Sequence, residues 1–309
     1  MSDRNVDRKR RALLQALGTL PLTAGLVHAE TTPTPIRKAI PSSGETLPVI
    51  GIGTSRVFNV GDSPEDMQGP LEALSALQAF DNAMIDTSPM YGEAERVIGE
   101  LLPRLPAPAR FFLATKVWTD GRQSGIDQMN HSFQLLGARV IDLMQIHNLV
   151  DWRTHIETLR EWKDAGRIRY IGITHYHRGA HDNLTRVMAQ LPDLDFLQVN
   201  YSLLERNAEH AVLPMAQERG VAVIANRPFG GGGWFRMTRG RTLPDWARAQ
   251  GMNSWAQFAL KWVVSHPAIT CAIPGTGKAK HMLDNMQAGR GSLLDAATRA
   301  QMRDLIGNS

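Results

Sequence analysis

The sequence predicts an α/β fold, a (β/α)8 TIM barrel with an N-terminal β-hairpin; an open doubly wound sheet is the alternative. Composition is the first observation, because 309 residues with 43% hydrophobic and 21% charged residues suit one large domain with a sizeable core. Alternation is the second, since short apolar runs and segments of helical apolar spacing follow one another from residue 36 onward. The third is that these runs are mostly apolar throughout, as in parallel strands buried on both faces. Eight such units over about 270 residues match a barrel.

The elements follow in a regular order along the chain. Residues 36–54 form a predicted hairpin that turns at Ser43 and Gly44 and leads into the first barrel strand. Ser63 and Pro64 are an N-cap and first-turn pair, which predicts a helix over residues 64–80. The later predicted strands are 82–87, 110–118, 139–147, 168–174, 194–202, 221–226 and 269–275. The later predicted helices are 93–102, 126–136, 155–166, 178–190, 207–219, 254–266, 278–288 and 293–306.

Residues 1–29 have the arrangement of a signal peptide, with a basic start, a moderately apolar stretch and a small-residue site before Glu30. The run KRRALLQ, in which Arg10 and Arg11 form the pair, resembles a twin-arginine signal. A Sec signal and a cytosolic start with a basic tail are the alternatives. The apolar stretch is too short and too interrupted for a stable membrane span. We therefore predict export by the twin-arginine (Tat) machinery to the periplasm, with a cytoplasmic location as the alternative.

This interpretation sets the predicted domain boundaries. Residues 1–29 are the signal peptide, residues 30–35 are a short linker, and residues 36–309 are a single barrel domain. Basic charge is concentrated at the start. The whole chain carries a net charge of +4, and five basic against two acidic residues give the first 29 residues +3, which leaves +1 for the remainder. No basic stripe with interleaved aromatic residues follows, so nucleic-acid binding is not predicted.

Cysteine and histidine usage limits two further classes of site. The single cysteine, Cys271, rules out an intramolecular disulfide and lies in an apolar run typical of a packed thiol. His175, His177 and His181 are close in sequence, but no carboxylate or cysteine accompanies them. No metal site is therefore predicted.

Titratable side chains end three consecutive predicted strands. Asp86, Lys116 and His147 end the second, third and fourth strands of the barrel, and Tyr91 lies in the loop after Asp86. Each alone has an ordinary explanation: a turn aspartate, a solvated lysine, a hydrogen-bonded loop histidine. In a barrel of this type, chemistry gathers at the carboxyl ends of the strands. The joint occurrence of the four side chains at neighbouring strand ends therefore predicts one catalytic site.

Further motifs lie at matching places along the chain: Gly51-Ile52-Gly53-Thr54, Asp86 through Tyr91 to Gly99, Ala114-Thr115-Lys116, Ile146-His147, Gly172-Ile173-Thr174, Gln198 with Tyr201, Ile273-Pro274-Gly275 and Asp284-Asn285. With these motifs the chain resembles the aldo-keto reductase family over about residues 36–305. The resemblance implies an NADP(H)-dependent oxidoreductase that interconverts a small-molecule aldehyde or ketone and the corresponding alcohol.

The resemblance also implies a role for each of the four side chains. Tyr91 would be the general acid that protonates the carbonyl oxygen while a nicotinamide supplies the hydride. A free tyrosine has a pKa near ~10, and the ammonium of Lys116 is expected to lower it. Asp86 would hold and neutralise Lys116. His147 would hydrogen-bond and orient the substrate carbonyl.

The cofactor residues are likewise implied by the resemblance. Residues 273–288 would bind the adenosine end, with Thr276 and Lys278 at a 2′-phosphate and Asp284 and Asn285 at the adenine. NADP is preferred over NAD, although His281 stands where many members carry arginine. The remaining implied cofactor contacts are Gly53, Thr54, Thr174, His175 and Gln198, the last three at the nicotinamide carboxamide.

The segment VIANRPFGGGGWF departs most from the family pattern. Asn226 stands where an aromatic ring commonly stacks on the nicotinamide, and Arg227 or Phe229 is the candidate replacement. The glycines from Gly230 to Gly233 are expected to close over the pyrophosphate with backbone N–H groups. The predicted wall of the substrate pocket consists of Met90, Trp118, Trp234 and Phe235. Asn226 motivates an alternative function, a cofactor-binding sensing module with little turnover. A third possibility is a structural partner of a membrane complex. The presence of all four predicted catalytic side chains argues against that third possibility.

Overall fold

The computed structural model describes residues 33–106 and 110–307. The predicted signal peptide, residues 1–29, lies outside the described residues, as does the beginning of the predicted linker, residues 30–35. Among the described residues, no helix is both long enough and apolar enough to cross a membrane.

A two-stranded hairpin precedes the barrel. Strand β1 (Arg37–Ala39) pairs antiparallel with β2 (Thr46–Pro48), and Gly44 provides the positive φ of 76° in the connecting turn. Ile40 and Leu47 are fully buried in a cluster with side chains from inside the barrel, such as Phe112. The hairpin therefore closes the amino-terminal end of the barrel, and the predicted turn at Ser43 and Gly44 is confirmed.

Lys38 fastens the hairpin to residues 264–269, which join a helix to the last barrel strand. Its Nζ atom donates hydrogen bonds to the carbonyl oxygens of Val264, His266 and Ile269 at 2.8, 2.8 and 2.7 Å. The carbonyl of Val264 lies at the end of a helix, where backbone acceptors lack partners within the helix. Burial, with a smaller contribution from Arg299, lowers the pKa of Lys38 to about 8.

Eight parallel strands pair in chain order to form the barrel. They are β3 (Ile52–Gly53), β4 (Ala83–Asp86), β5 (Phe111–Val117), β6 (Ile141–His147), β7 (Ile168–Thr174), β8 (Phe196–Asn200), β9 (Ala222–Asn226) and β10 (Ile269–Ala272). Parallel bridges from Ile50 to Ala272 and from Gly53 to Gly275 join the last strand to the first. This closure confirms the barrel and excludes the open doubly wound sheet.

Helices pack around the outside of the barrel. They are α1 (Pro64–Leu77), α2 (Ala94–Leu101), α3 (Arg122–Leu136), α4 (Trp152–Asp164), α5 (His181–Gln190), α6 (Val212–Glu218), α7 (Gly233–Met237), α8 (Asp245–Ala249), α9 (Trp255–Val264), α10 (Ala279–Gln287) and α11 (Ala296–Ile306). Ser63 caps α1 as predicted, because its side chain accepts from Asp66 N. The sequence did not predict the short helices α7 and α8, which lie between β9 and α9.

Two apolar layers hold these elements together. One fills the inside of the barrel and includes Leu143, Phe196 and Cys271, whose thiol pKa burial raises to about 12. The other lies between the strands and the helices. Gly99 allows α2 to approach α3, because a Cβ atom there would lie 1.9 Å from Leu135 O. The packing leaves the carboxyl ends of the strands and their loops to form the site.

Candidate active site

The structure brings together the four side chains predicted from the strand ends. Lys116 Nζ donates to Asp86 Oδ2 at 2.8 Å and to Thr87 O at 2.6 Å. The same nitrogen lies 5.0 Å from the centre of the Tyr91 ring. The rings of Tyr91 and His147 meet edge to face with centroids 6.0 Å apart. Strands β4, β5 and β6, together with the loop after β4, thus converge on one spot.

Burial controls the charges at this spot. Lys116 is 0% exposed and Asp86 is 2% exposed. Burial alone would lower the pKa of Lys116, but Asp86 and Tyr91 raise it above its ordinary value, so the amine stays protonated. An ammonium that is charged and fixed in position therefore faces the phenol of Tyr91.

The pKa of Tyr91 corrects one expectation. Lys116 does lower it, as expected, but burial raises it more and Asp86 adds to that increase, so the net pKa of Tyr91 lies above its ordinary value. A phenol in this environment holds its proton at neutral pH. It is therefore in the protonation state that a proton donor needs.

Two glutamines hold the second oxygen of the Asp86 carboxylate. Gln198 Nε2 donates to Asp86 Oδ1 at 2.7 Å and Gln145 Nε2 donates to it at 3.1 Å. Both side chains are buried. Sequence reasoning missed Gln145, although its position two residues before His147 turns both side chains to the same face of β6. A polar residue inside an otherwise apolar strand was the available signal.

His147 is held as a neutral imidazole. Its Nδ1 atom lies 3.1 Å from Ser88 Oγ. Burial, followed by the charges of Lys116 and His175, lowers the pKa of His147 to about 2. The ring of Trp118 lies 6.4 Å away, centroid to centroid. Sequence reasoning also missed Ser88, which is fully buried two residues after Asp86.

The predicted carboxamide-binding residues adjoin the catalytic group. Gln198 Oε1 accepts from Thr174 Oγ1 at 3.1 Å and from Asn226 Nδ2 at 3.3 Å, and Asn226 Nδ2 also donates to His175 O at 3.1 Å. Gln198 Nε2 is committed to Asp86. Burial and the nearby histidines lower the pKa of His175 to about 4. A continuous hydrogen-bonded chain therefore runs from the end of β9 to the Asp86 carboxylate.

Gly53 and Thr54 lie where β3 meets β4 and β10. Thr54 Oγ1 donates to Asp86 O at 3.0 Å, and Thr54 is fully buried. A Cβ atom on Gly53 would lie 2.9 Å from Ile273 O, so only glycine allows this approach of the two backbones. Both residues thus support the backbone of Asp86 and of the segment that follows β10.

The loop after β9 has a strained backbone. Arg227 has a φ of 51°, which is uncommon for a residue other than glycine, and Gly230, Gly231 and Gly232 all have positive φ. The guanidinium of Arg227 lies 6.0 Å from the centre of the Tyr176 ring. The rings of Phe229 and Phe235 pack 4.7 Å apart, which ties the start of this loop to α7.

The side chains expected to wall the substrate pocket divide into two groups. Met90 and Trp118 are 40% and 41% exposed, as a pocket rim requires. Trp234 is only 1% exposed. Its Nε1 atom donates to Trp255 O at 2.7 Å and its ring stacks on Phe258. The structure therefore places Trp234 in the core beneath the loop and not on the expected wall of the substrate pocket.

The segment after β10 places the four residues expected at the adenosine end in different environments. Lys278 is exposed and precedes α10, and its backbone N–H donates to Thr276 Oγ1 at 3.1 Å. Asn285 is buried. Both carboxylate oxygens of Asp284 accept hydrogen bonds from the start of α9, from Ser254 Oγ at 2.7 Å and from Gln257 Nε2 at 2.6 Å. The Asp284 carboxylate therefore anchors α9 in this structure.

Metal ligands do not cluster within residues 33–106 and 110–307: no group of three or more His, Cys, Asp or Glu side chains could hold an ion there.

The chain is similar to proteins of a known family. Residues 49–306 match the model of the aldo/keto reductase family. Methylglyoxal reductase YeaE from Escherichia coli (strain K12) is 29% identical over 261 residues, which cover 81% of this chain and 88% of the relative. An aldo/keto reductase from Klebsiella pneumoniae, solved in complex with NADP and acetate, has a TM-score of 0.71 at 25% identity and covers 85% of this chain and 93% of its own. A second one from that organism, in complex with NADPH, has the same fold at a TM-score of 0.72 and 24% identity, over 89% of this chain and 95% of its own.

Proposed function

The chain belongs to the aldo/keto reductase family, and from that premise we propose that it interconverts an aldehyde or ketone and the corresponding alcohol with NADP(H). The observation that carries the proposal is the buried contact of Lys116 with Asp86, 5.0 Å from the ring of Tyr91. Tyr91 is thus a protonated phenol, and Lys116 is the nearby cation that stabilises the phenolate left after proton transfer.

In the reducing direction, the substrate carbonyl lies between Tyr91 and His147. NADPH, when bound, supplies the hydride that goes to the carbonyl carbon. The Tyr91 hydroxyl gives its proton to the carbonyl oxygen, so the product is a neutral alcohol and the phenol becomes a phenolate. Lys116 stabilises that phenolate, and Asp86 keeps Lys116 in place. In the oxidising direction, NADP⁺ would accept the hydride from the alcohol carbon, and the Tyr91 phenolate would take the hydroxyl proton.

The cofactor preference rests on two exposed cations. Arg227 and Lys278 are exposed, and within the described part of the chain neither makes an ion pair. The ammonium of Lys278 would hold a 2′-phosphate together with the Thr276 hydroxyl. Asp284 would not hold the adenine, because its carboxylate is already bonded to α9. The similar proteins solved with NADP and NADPH agree with this preference.

A binding experiment tests the preference for NADP. Lys278→Ala should raise the Kd for NADPH by roughly fivefold, the worth of about 1 kcal/mol for an exposed charge pair, and leave the Kd for NADH unchanged. Lys280→Ala, which removes an exposed lysine two residues away, is the matched control. Equal losses for NADPH and NADH, or no loss for either, would contradict the role of Lys278.

A turnover experiment tests the reaction itself. NADPH oxidation should be followed with a panel of carbonyl compounds that begins with methylglyoxal, which the similar E. coli protein is named for. The control is Tyr91→Phe, which keeps the ring and removes the proton. Turnover that depends on the Tyr91 hydroxyl supports the proposal. NADPH binding without turnover on the whole panel would favour the alternative, a cofactor-binding sensing module, which Asn226 in place of an aromatic ring motivates.

We propose further that the protein is exported by the twin-arginine pathway and works in the periplasm. Arg10, Arg11 and the apolar stretch after them motivate the proposal. Because that pathway carries folded proteins, the cofactor would travel with the protein and be recycled by alternating oxidation and reduction of two substrates. Replacing both arginines by lysine should leave the protein in the cytoplasm. Unchanged fractionation would contradict the export, and loss of nucleotide on dialysis of the exported protein would contradict its retention.

A further inference from the structure

The Ser88 hydroxyl contacts one ring nitrogen of His147. Ser88 is fully buried, and its Oγ atom lies 3.1 Å from His147 Nδ1. The backbone N–H of Met90 donates to the same oxygen at 3.3 Å. His147 Nε2 has no hydrogen-bond partner within the described residues, and it is not one of the fully buried atoms that lack one. The two ring nitrogens therefore differ: Nδ1 contacts Ser88, and Nε2 keeps some accessible surface.

The hydrogen-bonding capacity of a serine decides which atom donates. A hydroxyl has one proton and two lone pairs. One lone pair of Ser88 accepts from Met90 N, and within the described part of the chain His147 Nδ1 is the acceptor that the hydroxyl proton reaches. If Nδ1 carried a proton instead, the buried hydroxyl proton would have no acceptor, which is unfavourable. Ser88 therefore donates, and Nδ1 is bare.

The charge of the ring makes this choice important. Burial, Lys116 and His175 all disfavour a positive charge on the His147 ring, so the imidazole is neutral. A neutral imidazole has one N–H group, and the position of that proton decides whether the pocket faces a donor or an acceptor. A substrate carbonyl oxygen can only accept. It therefore binds His147 only when Nε2 carries the proton.

We propose that Ser88 is a positioning residue that fixes His147 in the tautomer with the proton on Nε2, so that this nitrogen donates to the substrate carbonyl oxygen. The role of the N–H group in turnover rests on the proposed function. The tautomer itself does not, because it follows from the hydrogen bonds of the protein alone.

Nitrogen-15 NMR of protein labelled in the histidine rings reads the tautomer directly. The chain has 10 histidines, so the His147 signals are assigned by their loss in His147→Asn. The wild type should show Nε2–H and a bare Nδ1. Ser88→Ala, which removes one oxygen and adds no bulk, should move the population toward Nδ1–H. Ser88→Thr keeps the hydroxyl and should restore the wild-type pattern.

A second buried serine is the matched control. Ser132 is fully buried, and its Oγ atom donates to Glu95 Oε2 at 3.1 Å, with no contact to His147. Ser132→Ala should therefore leave the signals of His147 unchanged. A wild-type His147 that carries its proton on Nδ1 would overturn the proposal, and so would a Ser88→Ala variant that keeps the wild-type pattern.

Kinetics test the consequence for carbonyl reduction. Ser88→Ala should lower kcat by roughly tenfold or more, since a histidine in the wrong tautomer loses its function, and Ser88→Thr should recover most of it. NADPH affinity should not change. If the tautomer is as proposed and the wild type reduces no carbonyl, the proposed function fails and the tautomer assignment stands. An unchanged kcat in a Ser88→Ala variant whose tautomer has moved would overturn the catalytic part.

Discussion

Removal of the Lys116 charge should destabilise the protein because it leaves a buried carboxylate without its cation. Lys116→Met keeps much of the volume of the side chain and removes the ammonium that contacts Asp86 at 2.8 Å. The partner substitution, Asp86→Asn, removes the negative charge and keeps the shape. The two single variants and the double variant together form a cycle that isolates the energy of the pair.

The magnitude follows from the distance and the burial. Two unit charges 2.8 Å apart attract by about 6 kcal/mol at an effective dielectric constant of about 20. The hydrogen bonds from Gln145 and Gln198 to Asp86 survive in Lys116→Met and offset part of the loss. We therefore expect Lys116→Met to lower the free energy of unfolding by about 3–5 kcal/mol, as when one partner of a buried pair is removed. The double variant should lose at least about 1 kcal/mol less than the sum of the single losses.

Urea unfolding followed by tryptophan fluorescence measures these free energies. Single losses that add to within about 0.5 kcal/mol would refute this account of the pair.

Three further predictions concern neighbouring side chains. Tyr91→Phe should lower carbonyl reduction by roughly 10²–10⁴, the range for a lost general acid, with little change in NADPH affinity by fluorescence titration; near-wild-type turnover would remove the phenol from the mechanism. Gln145→Leu leaves Asp86 Oδ1 with one fewer donor, so urea unfolding should show a loss of about 1–3 kcal/mol; an unchanged free energy would count against this hydrogen bond. The pKa of His147 is about 2 in the folded state and about 6.5 unfolded, so its contribution to stability is complete above pH 6.5 and falls by about 1.4 kcal/mol per unit as the pH drops below that; stability curves of wild type and His147→Asn that stay parallel between pH 6 and 5 would contradict it.

The barrel was predictable because its strands are buried on both faces. Such strands are continuous apolar runs, and the helices between them have their own apolar spacing. Side chains at the carboxyl ends of neighbouring strands come together in any closed barrel, which is why Asp86, Lys116 and His147 could be brought to one place from their positions in the sequence.

The features that were missed depend on contacts between distant residues. Helices α7 and α8 have five residues each, too few to give a periodic signal, and glycines precede the first. Trp234 was predicted to line the pocket because it directly follows those glycines. It is instead buried against the carbonyl of Trp255 and the ring of Phe258. Ser88 shows no function in the sequence because its partner, His147, is 59 residues away.

The hydrogen bonds of Lys38 have a consequence for the order in which the fold can form during synthesis. The three carbonyl oxygens that Lys38 binds are 226, 228 and 231 residues further along the chain. During synthesis, Lys38 therefore has none of these three acceptors until residue 264, close to the last barrel strand, has been made. Barrel closure waits for the same stretch, since Ile50 bridges to Ala272. A nascent chain interrupted before residue 264 therefore lacks all three acceptors of Lys38.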